Sequence, residues 1–271
     1  MIPFLRLSAA IAAFAFAAPA AAAPLPADPL NSPMWTYQAG QIFGSDPVRF
    51  DPRVRVIMPQ IAENQHEFPV AVDARTIPGV KRMILFADLN PITLSFDYRP
   101  VDADAYIATR IKLDQRTPVR GAVQLASGEW LVGGGWVDAA GGGCSAPPVS
   151  RVKGDWAQHL GEIRGEAWPA ELAGSAKLRL LFRHPMDTGL VENIATYHLD
   201  KIDVKDGAGK LLATLEVQAS VSEDPAFTIL PHAPVGATLV TDGRDTNGIS
   251  YHAEVKVGAR AGGAAGAAGA K

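Results

Sequence analysis

The sequence predicts an all-β protein, two small β-sandwiches in tandem, with a short helix ahead of them that follows a signal peptide. Short apolar or alternating runs of period two recur in two blocks, 54–132 and 176–255, with a stretch of different composition between them. The 271 residues include 26 Gly and 21 Pro, which favours many short elements joined by turns over long helices. With 48% apolar and 20% charged residues, the chain has enough apolar side chain to bury a core.

From the N-terminus, a short basic start ending in Arg6 leads into an Ala- and Phe-rich run that closes on the small residues Ala20 to Ala23. This pattern predicts a signal peptide over 1–23, and with it export to the periplasm. Trp35, Ala39 and Ile42 fall at helical spacing, so Met34 to Phe43 predicts a short amphipathic helix with Asn31 or Ser32 as its cap. The runs 54–58, 68–72, 82–86, 92–96, 105–111, 119–125 and 130–132 then read as strands of a first sandwich spanning 24–138. Residues 139–174 read as a Gly- and Pro-rich loop and linker. The runs 176–182, 198–204, 211–217, 226–229, 237–240 and 249–255 form a second sandwich over 175–257, and 258–271 is a Gly/Ala tail with nothing to pack.

A net charge of −3 excludes the ordinary basic nucleic-acid binder, whose affinity for phosphates needs a positive surface. No run after the N-terminal one is long and apolar enough to insert into a bilayer. The chain carries no phosphate-binding loop, dinucleotide fingerprint, His-Glu-x-x-His or nucleophile elbow, so no catalytic residue and no cofactor are expected. His66, His159, His184, His198, His232 and His252 stand singly, without metal-ligand spacing, and read as surface or turn residues. Asp102 and Asp104 read as a solvated face.

One residue remains with chemistry to offer. Cys144 is the single cysteine, which rules out an internal disulfide, and it follows Gly141, Gly142 and Gly143 directly. Glycines without side chains predict a flexible, unshielded arm, suited to carrying a thiol into the narrow site of another protein. That is the logic of a carrier that holds a covalently attached group on Cys144 while partner enzymes act on it. Three other readings stay open: a buried, inert structural thiol, a docking subunit with no covalent chemistry, and a homodimer linked through Cys144.

Several motifs carry a family resemblance. Pro59, Ala62-Glu63-Asn64, Pro69, Asn90-Pro91 and Gly142-Gly143-Cys144 resemble SoxY, a subunit of the bacterial sulfur-oxidation carrier. Residues 178–189, ending His184-Pro185-Met186-Asp187-Thr188-Gly189, and Ser222-Glu223-Asp224-Pro225 resemble its partner SoxZ. The whole is similar to the fused SoxYZ-like carriers associated with quinoprotein dehydrogenases. The resemblance implies immunoglobulin-like sandwiches and a non-catalytic role. It also implies a sulfur intermediate on Cys144 and, as partners, periplasmic sulfur-oxidising enzymes or a quinoprotein dehydrogenase with its cytochrome c. In SoxY the cysteine ends a free C-terminal arm, whereas here the chain continues into the second half, and a loop tethered at both ends has less reach. The 184–189 stretch reads as a strand end and shaped loop, suited also to docking the two halves.

Overall fold

A computed structural model describes residues 24–147 and 154–259. The predicted signal peptide and most of the terminal tail lie outside the described residues. The first half runs α1 (Trp35–Phe43), β1 (Val48–Phe50), β2 (Arg55–Ile57), β3 (Ile61–Ala62), β4 (Phe68–Asp73), β5 (Val80–Ala87), β6 (Leu94–Pro100), β7 (Ala103–Ile111), β8 (Thr117–Leu125) and β9 (Trp130–Ala139). The second runs through a 3-10 turn (Trp156–His159), β10 (Ile163–Pro169), β11 (Ala176–Phe182), β12 (Leu199–Asp206), β13 (Leu211–Val217), β14 (Ala226–Pro231), β15 (Thr238–Asp245) and β16 (Ser250–Lys256). The stretch expected as loop and linker, 139–174, therefore contains a strand. In β10 the exposed Arg164 and Glu166 alternate with Ile163, Gly165 and Ala167, but only Ala167 is buried, and glycine and alanine at the inward positions give a weak apolar signal.

The two halves are not separate beads. One sheet follows the order β1-β9-β8-β5-β6-β13-β12-β15-β16, with β3 also paired to β9, and the facing sheet runs β10-β11-β14-β7-β4-β2. Both sheets cross the boundary: β6 pairs antiparallel with β13 (Phe96 opposite Val217, Tyr98 opposite Leu215), and β7 with β14 (Ile107 opposite Ile229). A single hydrophobic layer follows, in which Tyr98, Ile107 and Phe96 from the first half share one cluster with Leu215, Val217 and Phe227 from the second. Joining edge strand to edge strand removes two exposed hydrogen-bonding edges, the usual liability of a sandwich.

Alternation along β5, β8 and β9 sends Met83, Leu85, Val123 and Leu131 to this inner layer, and Ile84, Phe86, Ala122, Trp130 and Val132 to the opposite face. Helix α1 covers that second face with Trp35, Ala39 and Phe43. Its N-cap is Met34, without a side-chain bond. Of the two predicted caps, Ser32 instead accepts the Met34 N–H one turn earlier, and Asn31 takes positive φ (50°). Among the described residues no helix is long and apolar enough to cross a membrane.

Candidate functional site

The expected exposed arm is, in the structure, a docked one. Cys144 is only 1% exposed. Gly141 and Gly142 adopt positive φ (106° and 85°), where glycine alone is unstrained, and turn the chain back after β9. Gly143 then lies flat against the β7–β8 loop: its N–H donates to the Leu113 carbonyl (3.1 Å). A Cβ there would stand 2.5 Å from that same oxygen and would also strike the Gln65 carbonyl. The glycines thus serve close approach rather than mobility, a distinction that composition does not make.

The loop that receives the arm is braced from behind. Asn90 is buried, donates through Nδ2 to the Lys112 carbonyl (2.7 Å) and accepts the Asp114 N–H through Oδ1 (3.0 Å). The Leu113 N–H donates to the Gln65 carbonyl (2.8 Å). Asp114 Oδ1 in turn accepts the N–H groups of Cys144 (3.1 Å) and Ser145 (3.2 Å) and the Ser145 hydroxyl (3.0 Å). The Cys144 Sγ faces the Lys112 carbonyl at 3.9 Å.

The second half closes the seat. Thr188 donates its hydroxyl to the Cys144 carbonyl at 2.6 Å and accepts the Leu190 N–H. The loop carrying Thr188 is held rigidly: Met186 N–H donates to His184 Nδ1 (2.9 Å), and the Asp187 and Tyr197 backbones exchange hydrogen bonds. The His184 ring lies 4.4 Å from that of Tyr197, whose hydroxyl donates to Asp245. Because Nδ1 accepts, the His184 proton sits on Nε2, which faces Asp245 Oδ2 at 3.6 Å. His184, expected at the surface or in a turn, lies in the loop after β11 but is a buried framework residue, and its packing partners are distant in sequence. Docking of the halves through 184–189, the other expectation for this loop, is what the contacts deliver.

Lys112 ties the joint together from inside. Its ammonium donates to the carbonyls of Met186 and Ala219 (3.0 Å for the latter), and its own N–H donates to Ser220. Burial pulls its pKa down to about 8, partly offset by attraction from Cys144, Glu223 and Asp187. Burial likewise pushes the Cys144 thiol up to about 12, with Lys112 lowering it and Asp114 raising it further. In the docked state this sulfur is a protonated, unreactive thiol, out of reach of a second copy. Sequence reading missed Lys112 and Asp114, and named Thr188 only as part of the 184–189 motif. The one available signal was a lysine directly after an apolar strand end, which is common on surfaces. Asp102 and Asp104, read as a solvated face, instead bracket His232 (2.8 and 3.2 Å) and add a polar clasp across the halves. Among the described residues no group of His, Cys, Asp and Glu is arranged to hold a metal ion.

One substitution tests whether docking depends on the glycine. Gly143→Ala is expected to lift the arm, raising the rate of thiol labelling at Cys144 at least about tenfold and lowering stability by about 1–3 kcal/mol, the usual cost of overpacking. An unchanged labelling rate in a disulfide-exchange assay would show that the close contact does not hold the arm.

The fold and the joint define a two-module β-sandwich protein in which a single cysteine is seated between modules. Residues 39–144 match the family of sulfur oxidation protein SoxY, and residues 166–256 that of sulphur oxidation protein SoxZ. The chain belongs to these families as a fused SoxYZ-like protein, with a sulfur-oxidation carrier role and no catalytic function of its own. No characterised protein matches the chain as a relative. Among solved structures, the sulfur carrier protein SoxY from Chlorobium limicola f thiosulfatophilum is 20% identical, with 40% of this chain and 96% of that one covered at a TM-score of 0.35. A beta-glycosidase from Bacteroides vulgatus (10% identity, 78% of this chain and 25% of that one covered, TM-score 0.23) and a marsupial T cell receptor (8%, 77% and 98%, 0.23) also match. The SoxY match ends on Cys144 itself.

Proposed function

We propose that this protein is a periplasmic carrier in which Cys144 covalently holds a sulfur-containing group and presents it to partner oxidising enzymes. The observation that carries the reading is the placement of the sole cysteine at the last residue of the SoxY match, on a glycine-turned segment held by hydrogen bonds that can break and re-form. Joining a thiol to a second thiol-level sulfur through an S–S bond releases two electrons and two protons, so the loading partner must be a redox protein. Periplasmic sulfur-oxidising enzymes, or a quinoprotein dehydrogenase with its cytochrome c, meet that requirement. The expected signal peptide supplies the route to that compartment.

Intact-mass measurement of the mature protein from its native host, with and without reductant, is expected to find an added mass on the Cys144 peptide that reductant removes. An unmodified thiol during active metabolism, with normal growth of a Cys144→Ser strain, would overturn the proposal. The burial of Cys144 favours a second reading, an accessory subunit that docks on a dehydrogenase without covalent chemistry. It predicts that Cys144→Ser retains full support of that enzyme.

A further inference from the structure

We propose that the seat of Cys144 reads the load state of the carrier: the arm docks when the sulfur is a bare thiol and is expelled when the sulfur carries a group. The inference rests on the carrier reading above and concerns how the same site is regulated. The seat is built from both halves and fits a hydrogen on sulfur and little else. Cys144 is almost wholly enclosed, its Sγ faces a backbone carbonyl, and Gly143 beside it has no room for a methyl group. Protein interiors packed this closely do not absorb several added atoms without displacement.

Charge acts in the same direction for an anionic load. The cation of the seat, Lys112, is already committed to the Met186 and Ala219 carbonyls and attracted to Glu223 and Asp187, while the carboxylate of Asp114 grips the arm's backbone. A negative group entering here would lose its hydration beside the Asp114 carboxylate and would compete with Glu223 and Asp187 for the attraction of one cation. Expulsion breaks the Asp114 fork and the Thr188 contact together, since Asp114 holds residues 144 and 145 and Thr188 holds the Cys144 carbonyl. Discharge returns the bare thiol, and the arm re-docks. A partner would meet two different surfaces: an empty carrier with a closed joint and a protected thiol, and a loaded one with a free arm and an open Thr188 loop.

The test uses the full mature chain. Cys144 is labelled slowly at mildly alkaline pH with methyl methanethiosulfonate, or with its sulfonatoethyl analogue. In each case the thiolate attacks the thiosulfonate sulfur, an S–S bond forms, methanesulfinate leaves and the thiol proton goes to solvent. Hydrogen exchange of the Cys144 and Ser145 amides is then compared among the unmodified, methylthio and sulfonatoethylthio forms. The expected result is slow exchange in the unmodified protein and in Cys144→Ser, at least about tenfold faster exchange in both adducts, and recovery after reduction. Thr188→Val in the unmodified chain is expected to raise the labelling rate about fivefold, the worth of one hydrogen bond. Slow exchange retained in both adducts would overturn the proposal, whatever the fate of the Thr188 variant. If that result came together with a native adduct on Cys144, the carrier reading would stand and only load sensing would fall. Fast exchange in the adducts without any native adduct would have the opposite meaning.

Discussion

Replacing Arg120 with Met is expected to destabilise the protein by about 3–5 kcal/mol, the range for removing one partner from a buried ion pair. Arg120 is fully buried on β8, and its guanidinium grips two carboxylates: Asp88 through Nε and Nη2, and Asp28 through Nη1 and Nη2 (2.7–3.1 Å). Trp35 lies over the same group, 4.7 Å from ring to Cζ. Burial alone would lower the Arg120 pKa, but the bonds to Asp88 and Asp28 outweigh it and hold the charge. Asp28 also accepts the Leu30 and Ser32 N–H groups, and the Trp35 indole donates to the Pro26 carbonyl. Arg120 thereby fastens residues 26–32 and α1 to the sheet. Methionine would leave two carboxylates facing an apolar chain. Thermal unfolding should fall by about 10 °C at this chain length. A fall of less than about 3 °C would show that water reaches the carboxylates and that the clamp is peripheral. Asp28→Asn, which keeps hydrogen-bonding capacity, should cost much less.

The second large effect concerns Lys112 and is read from the pH dependence of stability. Its folded pKa, near 8, lies below the ordinary 10.5. Between these values the unfolded chain binds a proton that the folded chain has released, so stability rises with pH, by up to about 1.4 kcal/mol per pH unit. Cys144 acts with the opposite sign: its folded pKa, near 12, lies above the ordinary 9, so from pH 9 upward the unfolded chain loses a proton that the folded one keeps, and stability falls. Denaturant titrations from pH 7 to 11 are therefore expected to show Lys112→Met losing the rise between about 8 and 10. Cys144→Ser should lose part of the decline above 9. Lys112→Met should also cost several kcal/mol at neutral pH, because the Met186 and Ala219 carbonyls lose their shared donor inside the joint. Identical pH profiles for wild type and Lys112→Met would place the ammonium in water and refute the buried clamp.

Much of the fold was legible residue by residue. Period-two runs located thirteen of the sixteen strands among the described residues, because a strand with one face on the core must alternate. The three it missed are the very short β1 and β3, and β10, whose inward positions hold Gly165 and Ala167; tertiary pairing holds them: β1 and β3 lie parallel to β9, and β10 lies against β11. The helix at 35–43 was legible from Trp35 and Ala39, which fall on its buried side.

The site divides along the same line. The sequence by itself determined that one thiol exists, that glycines precede it, and that motifs from two families lie on either side. Only the tertiary structure decided that the glycines lay the thiol into a seat. A Gly-rich segment and a close-packed backbone have the same composition, and they differ only in what the rest of the chain brings within van der Waals distance. Gln65, Asn90, Lys112 and Thr188 come from four loops that sequence order leaves far apart. They converge because β6 pairs with β13 and β7 with β14, fusing two sandwiches into one and bringing the Thr188 loop over the cysteine. Burial, and with it the protonation of Cys144 and Lys112, is a property of that convergence.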